Sequence, residues 1–202
     1  MSSDHDMKMR ILLAAKKLFA QNGFDGTSVR QVCDEAGANV ALVSYYFGGK
    51  ENMLYAVFQT FIPFHLLHEL EDILQHPVKG LKRLIREVIY VRMNDPEMIR
   101  IIMQEVYKST PRIPHIQQMM LPVWFKLKEL LVKGKEQGYF RYDSIDNTLF
   151  SVIGTIIFFK FTDYFKPLMS EPPSPYEEVV RDTTRFIFNA LGASEWLEEE
   201  DS

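Results

Sequence analysis

Residues 27–50 read TSVRQVCDEAGANVALVSYYFGGK, and the way this stretch folds decides what the rest of the chain serves. Ser28 is followed three residues later by Gln31. A hydroxyl at that place accepts from the backbone N–H of the third helical residue while the glutamine reaches back, a reciprocal cap that starts a helix. Val29, Val32, Cys33 and Ala36 then recur at i, i+3, i+4 and i+7, which is one buried helical face. Gly37 stops the helix because it accepts positive φ, and Asn39 is a good N-cap for the next one. Val40–Phe47 is predicted as that second helix, with Val43, Tyr46 and Phe47 turned inward and the small Cys33 and Ala36 where the two helices approach. Gly48-Gly49 breaks the chain again and Lys50 opens a third helix. Two short helices across a tight turn are the layout of a helix-turn-helix, which lays its second helix in the major groove of DNA.

The outward face of the second helix carries Val40, Ala41, Leu42, Ser44 and Tyr45. It offers no Arg, Lys, Asn or Gln for a bidentate base contact, so base reading is predicted to use apolar contact with thymine methyls and hydroxyls from Ser44 and Tyr45. Ser28, Arg30, Tyr45, Tyr46 and Lys50 lie near the helix ends, where they can meet phosphates. Such contacts fix register and affinity without carrying sequence information.

The segment TSVRQVCDEAGANVALVSYYFGGKENML (27–54) resembles the DNA-binding segment of the TetR family of bacterial repressors. It has the Thr27-Ser28 pair opening helix 2, Ala36-Gly37 at its end, Tyr45-Tyr46-Phe47 closing helix 3, and Lys50-Glu51 opening helix 4. ILLAAKKLFAQNGFDGTSV (11–29) resembles the family's first helix and its glycine–aromatic exit. The resemblance spans 8–58 and departs from the pattern at Cys33, where alanine is usual, and at Leu42, where threonine is common. It implies phosphate contacts for Ser28, Arg30, Tyr45, Tyr46 and Lys50, and base-facing roles for Val40, Ala41, Leu42 and Ser44. It also implies a homodimer on a palindromic operator in double-stranded DNA, acting as a repressor released by a small hydrophobic or aromatic effector.

Composition sets the outer bounds. Of 202 residues, 47% are hydrophobic, so a sizeable core is available. A single cysteine excludes an internal disulfide and points to a reducing, cytoplasmic setting. Met1–Arg10 is charged and polar, without the features of a signal peptide. The longest apolar run, Leu149–Phe159, is short of the roughly 20 residues a bilayer span needs, so no membrane partner is expected. The net charge of −4 argues against a nucleic-acid binder, but residues 1–50 carry six basic and five acidic side chains and the remainder 17 and 22. The positive contribution therefore sits with the motif, as phosphate binding requires.

Beyond the motif the pattern is helical throughout. Helices are predicted over Lys8–Asn22, Glu51–Gln75 (kinked at Pro63), Val78–Met93, Pro96–Lys108, Ile116–Gln137 (bent near Pro122), from Asp143 or Ser144 to about Phe165, and over Tyr176–Leu191. Nine helices result: an all-α chain with a three-helix helix-turn-helix unit, a connector helix and a larger bundle. The domains are expected at 6–66 (DNA binding) and 67–194 (effector binding and dimerisation), with 195–202 a disordered acidic tail.

Ile145, Leu149, Val152, Ile153, Ile156, Ile157 and Phe161 cover more than one helical face, which implies either a second chain or intrachain core. The TetR resemblance implies a four-helix dimer interface from 143–165 and 176–191, with Leu149, Ile153, Ile157, Val180, Phe186 and Ile187 in it. Tyr90, Met93, Met103, Tyr107, Met120, Trp124, Phe158 and Phe159 give the larger unit the Met- and aromatic-rich character of an adaptable apolar pocket, and the first seven, Phe159 aside, are the expected lining. A bulky core is the competing reading. An enzyme is not expected, nor any cofactor or metal: His65 and His68 have metal-ligand spacing without a third ligand. The alternative function is a helical protein-interaction module that does not read DNA.

Overall fold

The computed structural model describes residues 2–158 and 162–197. Among them are nine helices of eight residues or more: α1 (Ser2–Asn22), α2 (Val29–Ala36), α3 (Val40–Phe47), α4 (Lys50–Phe61), α5 (Pro77–Asn94), α6 (Pro96–Lys108), α7 (Ile113–Glu136), α8 (Ile145–Ile157) and α9 (Tyr176–Ala190). No strand occurs among the described residues. The fold is the all-α arrangement expected from the sequence.

Several boundaries differ from expectation: α1 starts at Ser2 instead of Lys8 and α8 stops at Ile157 instead of near Phe165, and three further differences have local reasons. The connector predicted over 51–75 is interrupted: α4 stops at Phe61, and only the short helix Leu66–Glu69 and a 3-10 turn at Ile73–Gln75 follow. Pro63 lacks an N–H and forces its predecessor out of helical geometry, and Ile62 is extended at φ −94°, ψ 125°. The chain therefore breaks here instead of kinking. α7 begins three residues earlier than predicted because Pro114 falls in its first turn, where no backbone donor is needed. The tail expected to be disordered begins as a 3-10 turn, Ser194–Trp196, with Trp196 edge-on to Tyr139 at 5.1 Å. Residues 198–202 of that tail lie outside the described residues, as do Phe159, Lys160 and Phe161 of the predicted 143–165 helix.

The chain divides into two compact units, residues 1–64 with 95–116, and 65–94 with 117–202. In the first, α1 is the hub against which α2, α4 and α6 pack. Its Ile11, Ala15 and Phe19 are fully buried, as are Val32, Met53, Leu54, Val57 and Met98 of the covering helices. Asp95 caps α6 by accepting from Met98 N at 3.2 Å and also takes Lys16 of α1 at 2.9 Å. The same carboxylate thus starts one helix and ties it to another.

In the second unit, Leu81, Ile85 and Ile89 of α5, Leu127, Leu130 and Leu131 of α7, Val152 and Ile156 of α8, and Val180, Ile187 and Phe188 of α9 form one buried cluster. Phe140 completes it, edge-on to Phe188 at 5.9 Å. Phe140 fits only because residue 134 on α7 is glycine, since a Cβ there would overlap the ring. Gly134→Ala should destabilise this unit by about 1–3 kcal/mol, the usual cost of overpacking. The measurement is urea denaturation, with the midpoint lowered and the slope unchanged.

Candidate nucleic-acid interface

The helix-turn-helix is built as its cap residues dictate. Ser28 Oγ accepts from Gln31 N at 3.2 Å, and Ser28 N donates to Gln31 Oε1 at 2.7 Å, closing the reciprocal cap on α2. Gly37 ends α2 in the left-handed region at φ 63°, a conformation costly for any residue with a Cβ. A Cβ there would also come within 2.9 Å of Arg10 Nη2. Asn39 Oδ1 accepts from Leu42 N at 3.1 Å and starts α3, which Gly48 ends at φ 73°. Val43 and Phe47 are buried and anchor α3, while Val32, Cys33 and Ala36 are buried beneath α2.

The opposite side of α3 stands in solvent. Val40 is 50% exposed and Tyr45 77%; Ala41 and Ser44 are also exposed, and Leu42 is half-buried. Around this face the expected phosphate contacts are disposed unequally. Ser28 and Arg30 are exposed, and Arg30 has no ion pair among the described residues. Tyr46, predicted to turn inward, is half-buried and edge-on to Tyr45 at 5.2 Å. Its hydroxyl donates to Asp4 of α1, and this bond, with burial adding, pushes the phenol up to about 12.

Lys50 is half-buried. Its ammonium donates to Thr27 O at 2.7 Å and lies 4.2 Å from the centre of the Phe24 ring. Burial lowers its pKa, Asp25 opposes that, and the nearby Arg112 charge lowers it further. Lys50 thus ties α4 to the turn before α2 in addition to any role toward phosphate. Lys17 is held by Glu35 at 2.6 Å. The Asp4 partner of Tyr46 and the Phe24–Arg112 contact have no signature in the sequence, because each joins residues more than 40 positions apart.

The arrangement is a capped two-helix reading head whose second helix presents a continuous outward surface of small, apolar and hydroxyl side chains. The N-terminal model for bacterial regulatory proteins of the tetR family matches residues 11–57, and the tetracyclin repressor-like C-terminal domain matches 77–166. The chain belongs to the TetR family. It is accordingly a helix-turn-helix, DNA-binding transcriptional regulator, and the interaction-module alternative is not favoured.

Among its relatives, the probable regulator YttP of Bacillus subtilis is 28% identical over 134 residues, covering 64% of this chain and 65% of YttP. The transcriptional repressor NicS of Pseudomonas putida is 24% identical over 154 residues, covering 74% and 73%. The chain thus spans about two thirds to three quarters of the length of these two relatives. The crystal structure of HlyIIR, a hemolysin II transcriptional regulator, superposes with a TM-score of 0.73 at 29% identity, covering 90% of this chain and 98% of that one.

The other predicted residues are distributed less simply. Leu149, Val180 and Ile187, expected at a dimer interface, are buried in the second unit's own cluster. The apolar residues of α8 fall on two sides of the helix, and the side taken up internally includes Leu149. The outward side carries exposed Phe150 (70%) and Gly154; Ile153 and Ile157 are half-buried at its border, with Ile153 touching the core, and α9 adds Phe186 (63% exposed).

Of the expected pocket residues, Met103 and Tyr107 belong to α6 in the first unit, whereas Tyr90, Met93, Met120, Trp124 and Phe158 belong to the second. The seven therefore do not line one cavity within a unit. Tyr90, Met93, Tyr107 and Phe158 are exposed, so they are surface positions, and Trp124 packs on the second unit's core. Among the described residues no group of three or more His, Cys, Asp or Glu side chains is placed to hold a metal, and no helix is long and apolar enough to cross a membrane.

Because Asn39 supplies the only side-chain bond to the start of α3 among the described residues, Asn39→Ala should lower stability by about 1 kcal/mol. Thermal denaturation followed by circular dichroism measures it, and an unshifted midpoint would show that the bond contributes nothing.

Proposed function

We propose that two copies of this chain read a palindromic operator as a cytoplasmic repressor. Each copy would enter the major groove with Val40, Ala41, Leu42 and Ser44, and hold phosphates with Ser28, Arg30, Tyr45, Tyr46 and Lys50. DNA binding would reside in 6–66, effector binding and dimerisation in 67–194. The observation that carries the reading is the disposition of α3: Val43 and Phe47 anchor one side while Val40, Ala41, Ser44 and Tyr45 stand in solvent on the other. With no amide or cationic side chain on that outer side, discrimination falls to methyl contacts and hydroxyls. A single reading head with two cations, Arg30 and Lys50, is a weak electrostatic footprint, which favours paired heads.

The apolar outer face of α8 and α9 supports the pairing. Phe150 and Phe186 are exposed and Ile153 and Ile157 half-buried on these two packed helices, and exposed apolar surface of this kind marks a contact site. A small hydrophobic or aromatic effector is the third part of the proposal, and the match of 77–166 to a tetracyclin repressor-like C-terminal domain supports it. The effector would act only through its different affinity for the DNA-competent and DNA-released states.

Selection of duplexes from random DNA by the purified chain should recover a site with two-fold symmetry. Four cations in the paired heads predict that log K falls against log salt concentration with a slope of about −3.6. Failure to enrich any sequence would remove the reading. Tyr45→Ala should weaken binding to the selected site about tenfold, the loss of one or two hydrogen bonds, as measured by fluorescence anisotropy. Phe186→Asp should convert the dimer to monomer in sedimentation experiments and lower operator affinity with it; a dimer that survived would place the interface elsewhere.

A further inference from the structure

We propose that Arg112, in the turn between α6 and α7, is a positioning residue for DNA reading: it holds the start of α2 in place by gripping Phe24 together with Lys50. The inference rests on the DNA-reading assignment above and names a residue that assignment does not contain.

The observations converge on one short turn. Arg112 is 8% exposed and Glu105 2%. Arg112 Nε donates to Glu105 Oε2 at 2.7 Å and Nη2 to Oε1 at 3.3 Å, and the Thr110 hydroxyl donates to the same carboxylate. A two-point guanidinium–carboxylate pair fixes the plane of the guanidinium as well as its position. That plane carries the guanidinium carbon to 3.9 Å from the centre of the Phe24 ring, with Asp25 at 3.6 Å from Nη2. Lys50 lies 4.2 Å from the same ring centre and donates to Thr27 O. Thr27 immediately precedes Ser28, the N-cap of α2.

The turn itself has little freedom. The Thr27 hydroxyl donates to Gly23 O at 2.8 Å and Leu18 O at 3.1 Å, and a Cβ at Gly26 would overlap the Asn22 carbonyl. Phe24 is therefore the part of a stiff turn that neighbouring elements hold. Three residues after Arg112, His115 stacks on Tyr55 of α4 at 3.7 Å, so the same short segment seats on α4 as well.

A buried ion pair is a poor source of net stability, since desolvation offsets its attraction. Its direction is what an apolar replacement cannot reproduce. Because Arg112 is nearly enclosed, it acts on DNA binding through Phe24 and Thr27, not by reaching a phosphate.

The test uses the full chain and a labelled duplex recovered by the wild type from a random pool, with anisotropy titrations of wild type, F24L, R112K and R112Q. F24L leaves the Glu105–Arg112 pair in place and removes only the ring. R112K keeps the charge and loses the planar fork. F24L and R112K should each weaken binding about tenfold, about the loss of one desolvated cation–ring contact. The combined variant should be weaker than either single by no more than about twofold, because both remove one contact.

The fraction of active protein from stoichiometric titration should stay at the wild-type value, and the salt slope should be unchanged in R112Q. Unchanged affinity in F24L and R112K overturns the proposal. So does reduced active fraction with unaltered affinity, which marks a purely structural role. A slope reduced by about 1.8 for two copies of R112Q marks direct phosphate contact and also overturns it. If the wild type recovers no duplex, the DNA reading fails first and takes this inference with it.

Discussion

The apolar face of α1 is the constraint from which the first unit follows. Ile11, Ala15 and Phe19 have no solvent contact, and the helices that remove it are α2, α4 and α6. Burying one such large side chain is worth about 1.5–3 kcal/mol, against about 1 kcal/mol for a helix cap. Packing on α1 therefore decides where α2 and α4 lie, and the caps decide where they end. α3 packs on α2 and α4, so its orientation is inherited from that floor. The surface of α3 that stands in solvent is what remains once Val43 and Phe47 have been taken by the core.

Charge is used sparingly on this scaffold. Arg30 stands in solvent, but Lys50 is partly withdrawn into the turn before α2 and Lys17 is matched by Glu35. The Tyr46 hydroxyl faces Asp4, so a phosphate approaching it must displace a carboxylate. The reading head therefore offers little unopposed positive charge, in keeping with a chain whose net charge is negative.

The parts of the fold that were legible beforehand are those whose physics acts within about four residues. The Ser28–Gln31 cap, the stops at Gly37 and Gly48 and the Asn39 start are short-range bonds between near neighbours, and each lies where the sequence places it. Pro63 was visible as an interruption, but whether a proline kinks or ends a helix depends on what packs around it. Leu149, Val180 and Ile187 pack within their own chain, and sequence does not show this because an apolar residue looks the same whether its own chain or another covers it. The Phe24–Arg112–Glu105 cluster was invisible for a different reason: residues distant along the chain meet only after folding, and nothing in Pro111-Arg112-Ile113 announces a buried charge.

Both tryptophans, Trp124 and Trp196, lie in the second unit, Trp124 half-covered by its core and Trp196 against Tyr139 near the end of the described chain. Indole emission from this protein is consequently a private signal of that unit, blind to the reading head, while helical ellipticity averages over every helix. Comparing the two optical signals through one melting curve separates the unit that reads DNA from its companion without attaching a label to either.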